Sequence, residues 1–457
     1  MFIKQLYTNC LAEAAYYIES EGEAAIIDPL RETAPYLALA KERNATIRYI
    51  FETHFHADFV SGHIDLARET GAAIIYGPGA KAHYDILSAR QHEIFPLGNI
   101  KIKVLHTPGH TLESSCFLLI DENGKENAVF TGDTLFAGDV GRPDLATSKD
   151  ITKEDLAEML HDSIYAELMP LADDVIVYPG HGPGSACGKN IGTETVTTIG
   201  KQKQFNYALQ PMTRDEFIHV VTAGLEEPPK YFFMDAAINK NGYQDIDSVM
   251  KHNAVPISPE QFKTYAENGN IILDTRNADE FEKGFIPGAI NIGLSGQYAI
   301  WVGSLLDAKI PVILVTDLGK EQEAILRLAR VGYENVKGYL DGGMVAWENA
   351  GLPVDTIESI NPEEFVAVYN NRDTILDIRN DSEAANEKLS SAIHIPLAKL
   401  ESFVPSLNKQ DKIYIHCAGG YRSMIASSIL QKHGFEHVIN IRKGIKGLKE
   451  AGVLLAV

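Results

Sequence analysis

The sequence is short of three things: cysteine, basic charge and long apolar runs. Its 457 residues include only four cysteines, widely spaced and without a CxxC pair, which excludes a disulfide framework and an all-cysteine zinc site. No apolar run approaches the roughly 18 residues that span a bilayer, and the N-terminus lacks an apolar signal segment. Acidic residues outnumber basic ones by 62 to 41, which argues against nucleic acid or an anionic membrane as partner. We therefore expect a cytoplasmic protein.

Length and composition indicate a globular protein of several domains. At roughly 150 residues per domain, 457 residues predict about three domains. The hydrophobic share is 45% and the charged share 23%, which excludes a mostly disordered or fibrous chain. Residues 1–235 hold short apolar runs that end in turn residues, with helical stretches between them, and this predicts one mixed α/β domain. Residues 236–256 are polar and irregular, and we expect a linker there.

The chain repeats itself after the predicted linker. ISPEQF and ILDTRN in residues 257–355 correspond to INPEEF and ILDIRN in residues 360–457, and Asp274 and Asp377 lie 103 residues apart. Each copy alternates strand-like apolar runs with helical stretches, which is typical of a small doubly wound parallel α/β sheet. We therefore expect two copies of one α/β domain, called here the first copy (257–355) and the second copy (360–457).

Side chains with metal-binding atoms follow four predicted strands of the first domain. The segments HFHADF, TPGHT, TGDT and YPGHG each come after an apolar run. Strand ends that meet at one edge of a sheet bring such groups together, so the pattern predicts a metal site at that edge. The side chains concerned are His54, His56, Asp58, His110, Asp133 and His181.

These motifs resemble the metallo-β-lactamase fold family over residues 1–235. The resemblance implies an αββα sandwich with the metal site at one edge of its two sheets. Within the family, GDTLFAGDVGRPDL and YPGHGPGSACG are most similar to the persulfide dioxygenase branch, whose nearest relatives are the glyoxalase II hydrolases. The resemblance therefore implies both a fold and a choice between two reaction types.

Phe59 departs from the pattern of the two-metal hydrolases, which have a histidine directly after the motif aspartate. A phenyl ring offers no donor atom, so a second metal ion would lack one ligand. The first metal position keeps His54, His110 and Asp133 as ligands. Two imidazoles and one carboxylate with open positions are typical of non-haem Fe(II) oxygenases.

We accordingly expect one Fe(II) per chain, with zinc as the alternative because it accepts the same ligands. His56, Asp58 and His181 would then orient ligands or substrate. The alternative for these three residues is that they bind a second metal ion.

Further residues of the first domain are candidates for binding substrate. Arg142 could clamp a substrate carboxylate, or it could form a structural ion pair with Asp144. Cys187 lies in a loop rich in small residues, where its thiol would be accessible and Lys189 could lower its pKa. Such a thiol would hold sulfur, and the alternative is a packed loop cysteine.

The second copy has a cysteine at the end of an apolar run, in KIYIHCAGGYRSM. The small residues after Cys417 let the backbone N–H groups face an anion, and a helix is predicted to begin near Ser423 with its positive end toward the thiol. These surroundings favour a thiolate. The loop ends at Arg422, and the Cys-x4-Arg spacing suits a sulfane sulfur better than a phosphate. The persulfide loop comprises Ala418, Gly419, Gly420, Tyr421 and Ser423 besides these two residues.

This motif resembles the rhodanese sulfurtransferase family over residues 360–457, which implies that Cys417 carries a persulfide intermediate. The first copy keeps the predicted order of strands and helices but lacks the nucleophilic cysteine. Asp317 is expected at the place of Cys417, in a loop two residues shorter and without an equivalent of Arg422. We interpret the first copy as an inactive rhodanese-like domain that serves as a spacer or an interface.

The whole chain resembles fusions of a persulfide dioxygenase with rhodanese domains, which act in sulfide detoxification. The resemblance implies that O2 oxidises a thiol persulfide, of the glutathione or coenzyme A type, to sulfite, and that Cys417 transfers sulfur, forming or using thiosulfate. One alternative is a zinc-dependent thioester hydrolase of glyoxalase II type with an appended sulfurtransferase, and another is a non-catalytic sulfur-relay module. We also expect a homo-oligomer.

Overall fold

The structure is a computed structural model and describes residues 1–370, 373–453 and 455–456. It divides into two compact units, the first made of Met1–Val249 and Ala329–Gly332, the second of Met250–Leu328 and Tyr333–Val457. Among the described residues, no helix is both long and apolar enough to cross a membrane.

The first unit contains two six-stranded sheets and a short hairpin. The strands of the first sheet follow one another in sequence order: β1 (Phe2–Thr8), β2 (Glu13–Ser20), β3 (Glu23–Ile27), β4 (Thr46–Phe51), β5 (Ala73–Tyr76) and β6 (Leu87–Ser88). The remaining strands are β7 (Ile94–Leu97), β8 (Ile100–His106), β9 (Ser115–Ile120), β10 (Glu126–Gly132), β11 (Leu135–Phe136), β12 (Asp139–Val140), β13 (Ile176–Pro179) and β14 (Thr197–Thr198). The second sheet has the order β14-β13-β10-β9-β8-β7, and β11 pairs with β12.

Helices cover the outer faces of both sheets. α1 (Ala34–Glu42) and α2 (His63–Thr70) pack on the first sheet, and α3 (Lys153–Ser163) and α5 (Arg214–Thr222) pack on the second. α4 (Ile199–Phe205) lies between α3 and α5 in the sequence. α3 and α5 each begin at a threonine that forms a capping box with an acidic residue three positions later. The predicted αββα sandwich is therefore confirmed.

Alternation along the strands explains these layers. In β2, Tyr16 belongs to the core between the sheets, whereas Tyr17 belongs to the cluster that includes α1. In β9, Phe117 joins the core between the sheets, whereas Leu118 joins the cluster that includes α3. Successive side chains of a strand point to opposite faces, so strands that are apolar on both faces need cover on both sides.

The sequence indicated an irregular linker at residues 236–256, but most of this stretch is helical. α6 (Phe232–Asn241) and α7 (Ile246–Asn253) occupy it. The backbone N–H of Ile246 donates to Asp65 Oδ2 at 3.0 Å, which ties the start of α7 to α2. The polar composition was misleading because polar side chains such as Asn239 are buried and hydrogen-bonded.

The second unit contains one five-stranded sheet for each copy, with parallel pairing throughout the described ladders. The first copy contributes β15 (Pro256–Ile257), β16 (Ile271–Asp274), β17 (Ile290–Asn291), β18 (Val312–Val315) and β19 (Val336–Leu340), in the order β15-β19-β18-β16-β17. The second copy contributes β20 (Glu358–Ile360), β21 (Thr374–Asp377), β22 (Ile393–His394), β23 (Ile413–His416) and β24 (Val438–Ile441), in the order β20-β24-β23-β21-β22. The two orders are identical, as the repeat predicts.

Helices alternate with these strands. They are α8 (Pro259–Glu267), α9 (Ala278–Phe281), α10 (Tyr298–Leu305), α11 (Glu321–Ala329), α12 (Gly343–Asn349), α13 (Pro362–Val368), α14 (Asp381–Asn386), α15 (Leu400–Phe403), α16 (Tyr421–Lys432) and α17 (Gly444–Glu450). The central strands β18 and β23 are buried along their whole length, which explains their uninterrupted apolar sequences. In such open α/β sheets, ligands bind beyond the carboxyl ends of the central strands, where the strand order reverses.

Candidate metal centre and thiol loop

Three strand ends of the first unit bring together the predicted metal ligands. Asp133 follows β10 directly, whereas His54 and His110 lie in the loops that follow β4 and β8. Their ligand atoms all lie within 4.8 Å of one another. His110 Nε2 is 3.4 Å and His54 Nε2 is 4.0 Å from Asp133 Oδ2.

The facing atoms of this set are buried and have no hydrogen-bond partner among the described residues. Such atoms are rare, because leaving one unpaired costs on the order of 1–3 kcal/mol. The other ring nitrogens are engaged: His54 Nδ1 lies 3.0 Å from Thr53 Oγ1, and His110 Nδ1 lies 3.0 Å from the carbonyl oxygen of Arg142. The set therefore fits a metal ion held by the two Nε2 atoms and one carboxylate oxygen.

The protonation states also suit metal binding. Burial lowers the pKa of His54 well below its usual value and lowers that of His110 as well, so both imidazoles are neutral at neutral pH. Burial would raise the pKa of Asp133, but His181, His110 and His54 together hold it below its usual value. Asp133 is therefore a carboxylate.

His181 connects Asp133 to Asp58. Its Nδ1 lies 2.8 Å from Asp133 Oδ1 and its Nε2 lies 2.7 Å from Asp58 Oδ2. Burial would lower the pKa of His181, but the two carboxylates raise it well above its usual value, so the ring is protonated and donates to both. These two contacts fix the Asp133 side chain so that its Oδ2 faces His54 and His110. His181 and Asp58 therefore orient a candidate metal ligand.

Cys187 is the third member of a second group of possible ligands. Its Sγ, Asp58 and His181 offer atoms within 4.8 Å of one another, although both nitrogens of His181 are already hydrogen-bonded. The thiol is 1% exposed, and burial, with Asp58 and Asp133 nearby, raises its pKa well above the usual value. Lys189 Nζ donates instead to the carbonyl oxygens at positions 220 and 223. The expectation of an accessible thiol with a lowered pKa is therefore wrong.

Arg142 forms the structural ion pair and not an open clamp. Its Nε and Nη2 lie 2.6 and 2.8 Å from the two carboxylate oxygens of Asp144. Its Nη1 and Nη2 also donate to the carbonyl oxygens of Ala186 and Glu226. Because the carbonyl oxygen of Arg142 holds His110 Nδ1, this ion pair supports a candidate ligand.

Asn239 is a site residue that the sequence did not reveal. Its Nδ2 donates to the carbonyl oxygens of His56 and Phe59, both at 2.8 Å, and its Oδ1 accepts from the N–H of Ser61 at 2.9 Å. Asn239 thereby fixes the backbone of the loop after β4 from α6. The contact joins residues 183 positions apart, so no local pattern could indicate it.

In the second unit, Cys417 lies between β23 and the N-terminus of α16. The N–H of Gly420 donates to Cys417 Sγ at 3.1 Å, and Ser423 Oγ lies 3.7 Å from the sulfur. Gly420 has φ +105°, a left-handed conformation that favours glycine and curls the loop around the thiol. The helix N-terminus and the Gly420 N–H therefore both face the sulfur, as predicted for an anion-stabilising loop.

Arg422 is held by a neighbouring helix. Its Nη1 and Nη2 lie 2.6 and 2.7 Å from the two carboxylate oxygens of Glu383 on α14. Burial would raise the pKa of Glu383, but Arg422 holds it below its usual value. The guanidinium therefore closes the loop by an ion pair, and it is not a free anion-binding group.

The two copies contact each other within the second unit at this loop. Tyr421 Oη donates to the carbonyl oxygen of Gly293 at 2.7 Å, and the N–H of Asn291 donates to Ser428 Oγ at 3.0 Å. Met424 on α16 lies in the core cluster of the first copy. The first copy thus supports the helix that follows the thiol loop.

Strand pairing corrects the correspondence between the copies. The last residues of β16 and β18 pair with each other, as do the last residues of β21 and β23. The residues directly after β18 and β23 are Thr316 and Cys417, so these two are equivalent. Contacts of two glycines support the same equivalence. A Cβ added at Gly343 would contact Thr316 O, and a Cβ added at Gly444 would contact Cys417 O. The prediction that Asp317 stands at the place of Cys417 is therefore wrong by one residue.

The thiol-loop equivalent in the first copy is not shorter. Gly319 and Gly420 occupy equivalent positions, with φ +83° and +105°. The length difference lies in the helix, because α11 has 9 residues and α16 has 12. Glu321 stands at the place of Arg422, and its Oε1 accepts from the N–H of Gly319 at 3.1 Å. In the first copy, the Gly319 N–H thus donates to a carboxylate, whereas the equivalent Gly420 N–H of the second copy donates to the Cys417 thiol.

Known protein families and solved structures are similar to parts of this chain. Residues 8–181 match the family described as the metallo-beta-lactamase superfamily, and residues 258–350 and 361–451 match the rhodanese-like domain. A metallo-beta-lactamase from Staphylococcus aureus is 31% identical, with a TM-score of 0.65 over 74% of this chain and 98% of its own. ETHE1 from Myxococcus xanthus is 29% identical, with a TM-score of 0.46 over 52% of this chain and 98% of its own.

A curated relative matches the first part of the chain. The hydroxyacylglutathione hydrolase GloC of Haemophilus influenzae is 30% identical over 210 residues, which are 41% of this chain and 88% of its own. The sandwich with its buried His and Asp set, followed by two parallel α/β domains, defines a multidomain α/β protein with a candidate metal centre. The chain belongs to the metallo-beta-lactamase superfamily, and two rhodanese-like domains follow its metallo-beta-lactamase domain.

Proposed function

We propose that this protein is a persulfide dioxygenase with an appended rhodanese. The observation that carries the proposal is the set of buried, unpartnered atoms on His54, His110 and Asp133. Two imidazoles and one carboxylate with open positions form the usual ligand set of non-haem Fe(II) oxygenases. Phe59 supports the choice of a single metal ion because its ring cannot ligate a second one.

The proposed reaction is R–S–SH + O2 + H2O → R–SH + SO3²⁻ + 2 H⁺, where R–SH is a thiol of the glutathione or coenzyme A type. Iron, when bound, supplies the redox chemistry that a reaction with O2 needs. His54 and His110 contribute neutral imidazoles and Asp133 a negative charge. The pair His181–Asp58 holds the carboxylate in place, and burial of the whole set excludes bulk water.

Cys417 would perform a second reaction in two steps. Its thiolate attacks the outer sulfur of R–S–SH, takes that sulfur as an enzyme persulfide and releases R–SH. Sulfite then attacks the outer sulfur, which forms thiosulfate and restores the thiolate. The Gly420 N–H and the N-terminus of α16 stabilise negative charge on the sulfur in both steps. Transfer from thiosulfate would use the same intermediate in reverse.

A second candidate function is a zinc-dependent thioester hydrolase of glyoxalase II type. The likeness to the hydroxyacylglutathione hydrolase GloC favours it. Its two-metal form would need a donor at the place of Phe59, and Cys187 is the only additional candidate among the described residues near Asp58 and His181.

Metal analysis combined with O2 uptake tests the proposed dioxygenase. We expect protein purified without added metal to hold about one iron per chain, in line with a single three-ligand set. It should consume O2 only when a thiol persulfide is present, and sulfite should form. Zinc-loaded protein is the control and should consume none. Two zinc ions per chain, with thioester hydrolysis and no O2 uptake, would overturn the proposal in favour of the hydrolase.

Replacing Phe59 by histidine should raise the occupancy of a second metal position. The variant restores the donor atom that the two-metal hydrolases have, so occupancy should rise from near zero toward about one extra ion per chain. The measurement is the metal-to-protein ratio after incubation with zinc and gel filtration. Phe59→Leu is the matched control, because leucine adds no donor. An unchanged ratio in Phe59→His would mean that the missing ligand does not explain the single site.

A further inference from the structure

His56 belongs to the same motif as His54 but lies outside the candidate ligand set. Its Nε2 is 3.0 Å from Asp28 Oδ1 and 3.5 Å from Glu52 Oε2. The three side chains are 1%, 2% and 0% exposed, respectively. Neither ring nitrogen of His56 makes a well-formed hydrogen bond within the part of the chain that the structure describes. The imidazole therefore lies against two acidic side chains and is not part of the group formed by His54, His110 and Asp133.

Both carboxylates are oriented by hydrogen bonds of their own. Asp28 Oδ1 accepts from the N–H of Thr53 at 2.7 Å, and its Oδ2 accepts from Thr53 Oγ1 at 2.8 Å. Glu52 Oε1 accepts from Ser61 Oγ at 2.7 Å, which leaves Oε2 for His56. The position of these two acids therefore does not depend on His56.

Aromatic packing completes the surroundings of His56. The centroid of the Phe59 ring lies 4.4 Å from that of His56, and the two planes are inclined by 32°. The His54 ring lies equally close, at 4.2 Å. Asn239 fixes the backbone carbonyl of His56, so the side-chain rotamer is its main remaining freedom. Because the His54 ring is its direct neighbour, rotation of the His56 side chain is the movement that could bring a ring nitrogen toward the metal position.

We propose that Asp28, Glu52 and Phe59 hold His56 out of the ligand set and so keep the metal ion at three protein ligands. Asp28 and Glu52 are then positioning residues, which act through His56. A fourth protein ligand would occupy a position that O2 or the persulfide needs. The need for an open position rests on the proposed dioxygenase function, whereas the expected number of protein ligands does not.

The ligand count can be measured directly on iron-loaded protein without substrate. X-ray absorption should show two imidazoles in the wild type and three in Glu52→Leu, because leucine fills the space but removes one of the two acidic side chains that retain His56. Persulfide-dependent O2 uptake should fall by about 10-fold or more in the variant, the usual scale for loss of an outer-sphere partner. Ser61→Ala is the matched control. It removes a hydrogen bond to Glu52 but keeps the carboxylate, so two imidazoles are expected.

A rescue experiment separates positioning from a merely structural role. The double variant Glu52→Leu/His56→Phe has no imidazole at position 56 that could bind the metal ion. It should therefore show two imidazoles on the metal ion again and regain most of the O2 uptake lost in Glu52→Leu. If the single variant fails to fold, Glu52→Gln takes its place, and a clear fraction of three-imidazole sites is expected.

Three outcomes would overturn the proposal. They are three imidazoles in the wild type, two imidazoles in the folded Glu52 variant, and a double variant that stays as inactive as the single one. If the ligand counts follow expectation but even the wild type consumes no O2, then the proposed dioxygenase fails and the positioning of His56 stands.

Discussion

Replacing Cys417 by serine is expected to abolish sulfur transfer and to leave persulfide-dependent O2 uptake within about twofold of the wild type. Loss of a nucleophile typically costs more than about 10³-fold in rate, because the remaining groups have no atom to carry the intermediate. Serine matches cysteine in shape and can still accept from the Gly420 N–H, so the fold should tolerate it. The candidate metal ligands belong to the other unit and are unchanged. Thiocyanate formation from thiosulfate and cyanide measures the first activity, and an oxygen electrode measures the second.

The reciprocal variant is His110→Ala. It removes one of three candidate ligands, so bound metal and O2 uptake should be lost while sulfur transfer persists. His92→Ala is the matched control, since His92 is largely exposed and pairs with Glu167. If Cys417→Ser also stops O2 uptake, the metal site must receive its substrate through Cys417, and two independent reactions are the wrong scheme.

Local sequence patterns predicted those site residues whose positions follow from the arrangement of the strands. His54, His110 and Asp133 meet because each follows a strand of the sandwich, and the ends of strands converge at one edge. The direction of a ring is a different matter. His54 and His56 lie two residues apart in one motif, yet His54 faces the candidate metal position whereas His56 lies against Asp28 and Glu52, which are distant in the sequence.

Burial was the property that the sequence expressed least clearly. The small residues around Cys187 suggested an open loop, but small residues equally allow close packing, and the thiol is buried. The polar stretch after residue 235 suggested a linker, but its Asn239 satisfies three backbone groups of the loop after β4. A polar side chain that is fully hydrogen-bonded inside a protein has the same sequence signature as an exposed one.

The misplaced correspondence between the copies has a similar cause. Apolar runs mark where β18 and β23 lie, but they do not distinguish Thr316 from Asp317 as the residue after the last strand position. The hydrogen-bond register fixes this, because one pairing partner determines all others along a ladder. With the register known, the first copy has a loop of full length that differs from the thiol loop in its side chains.

Thr316→Cys alone is therefore not expected to create a sulfurtransferase. The new thiol would stand in a loop whose Gly319 N–H is already bonded to Glu321, and a thiolate would lie beside the carboxylates of Asp317 and Glu321. Its pKa should stay near or above the ordinary ~8.5, so little of it would be nucleophilic at neutral pH. In a Cys417→Ser background, thiocyanate formation should stay below about one thousandth of the wild-type rate.

Replacing residues 316–322 by the sequence from Cys417 to Ser423 should instead give measurable turnover in the same background. The graft removes both carboxylates and places an arginine where Glu321 was. Glu280 lies six residues after Asp274, as Glu383 lies six after Asp377, so that arginine should find a partner. The control is the same graft with serine in place of its cysteine, which should be inactive. Robust turnover from Thr316→Cys alone would mean that Glu321 does not block the loop, and an inactive graft would mean that the first copy lacks more of the sulfur site than this segment.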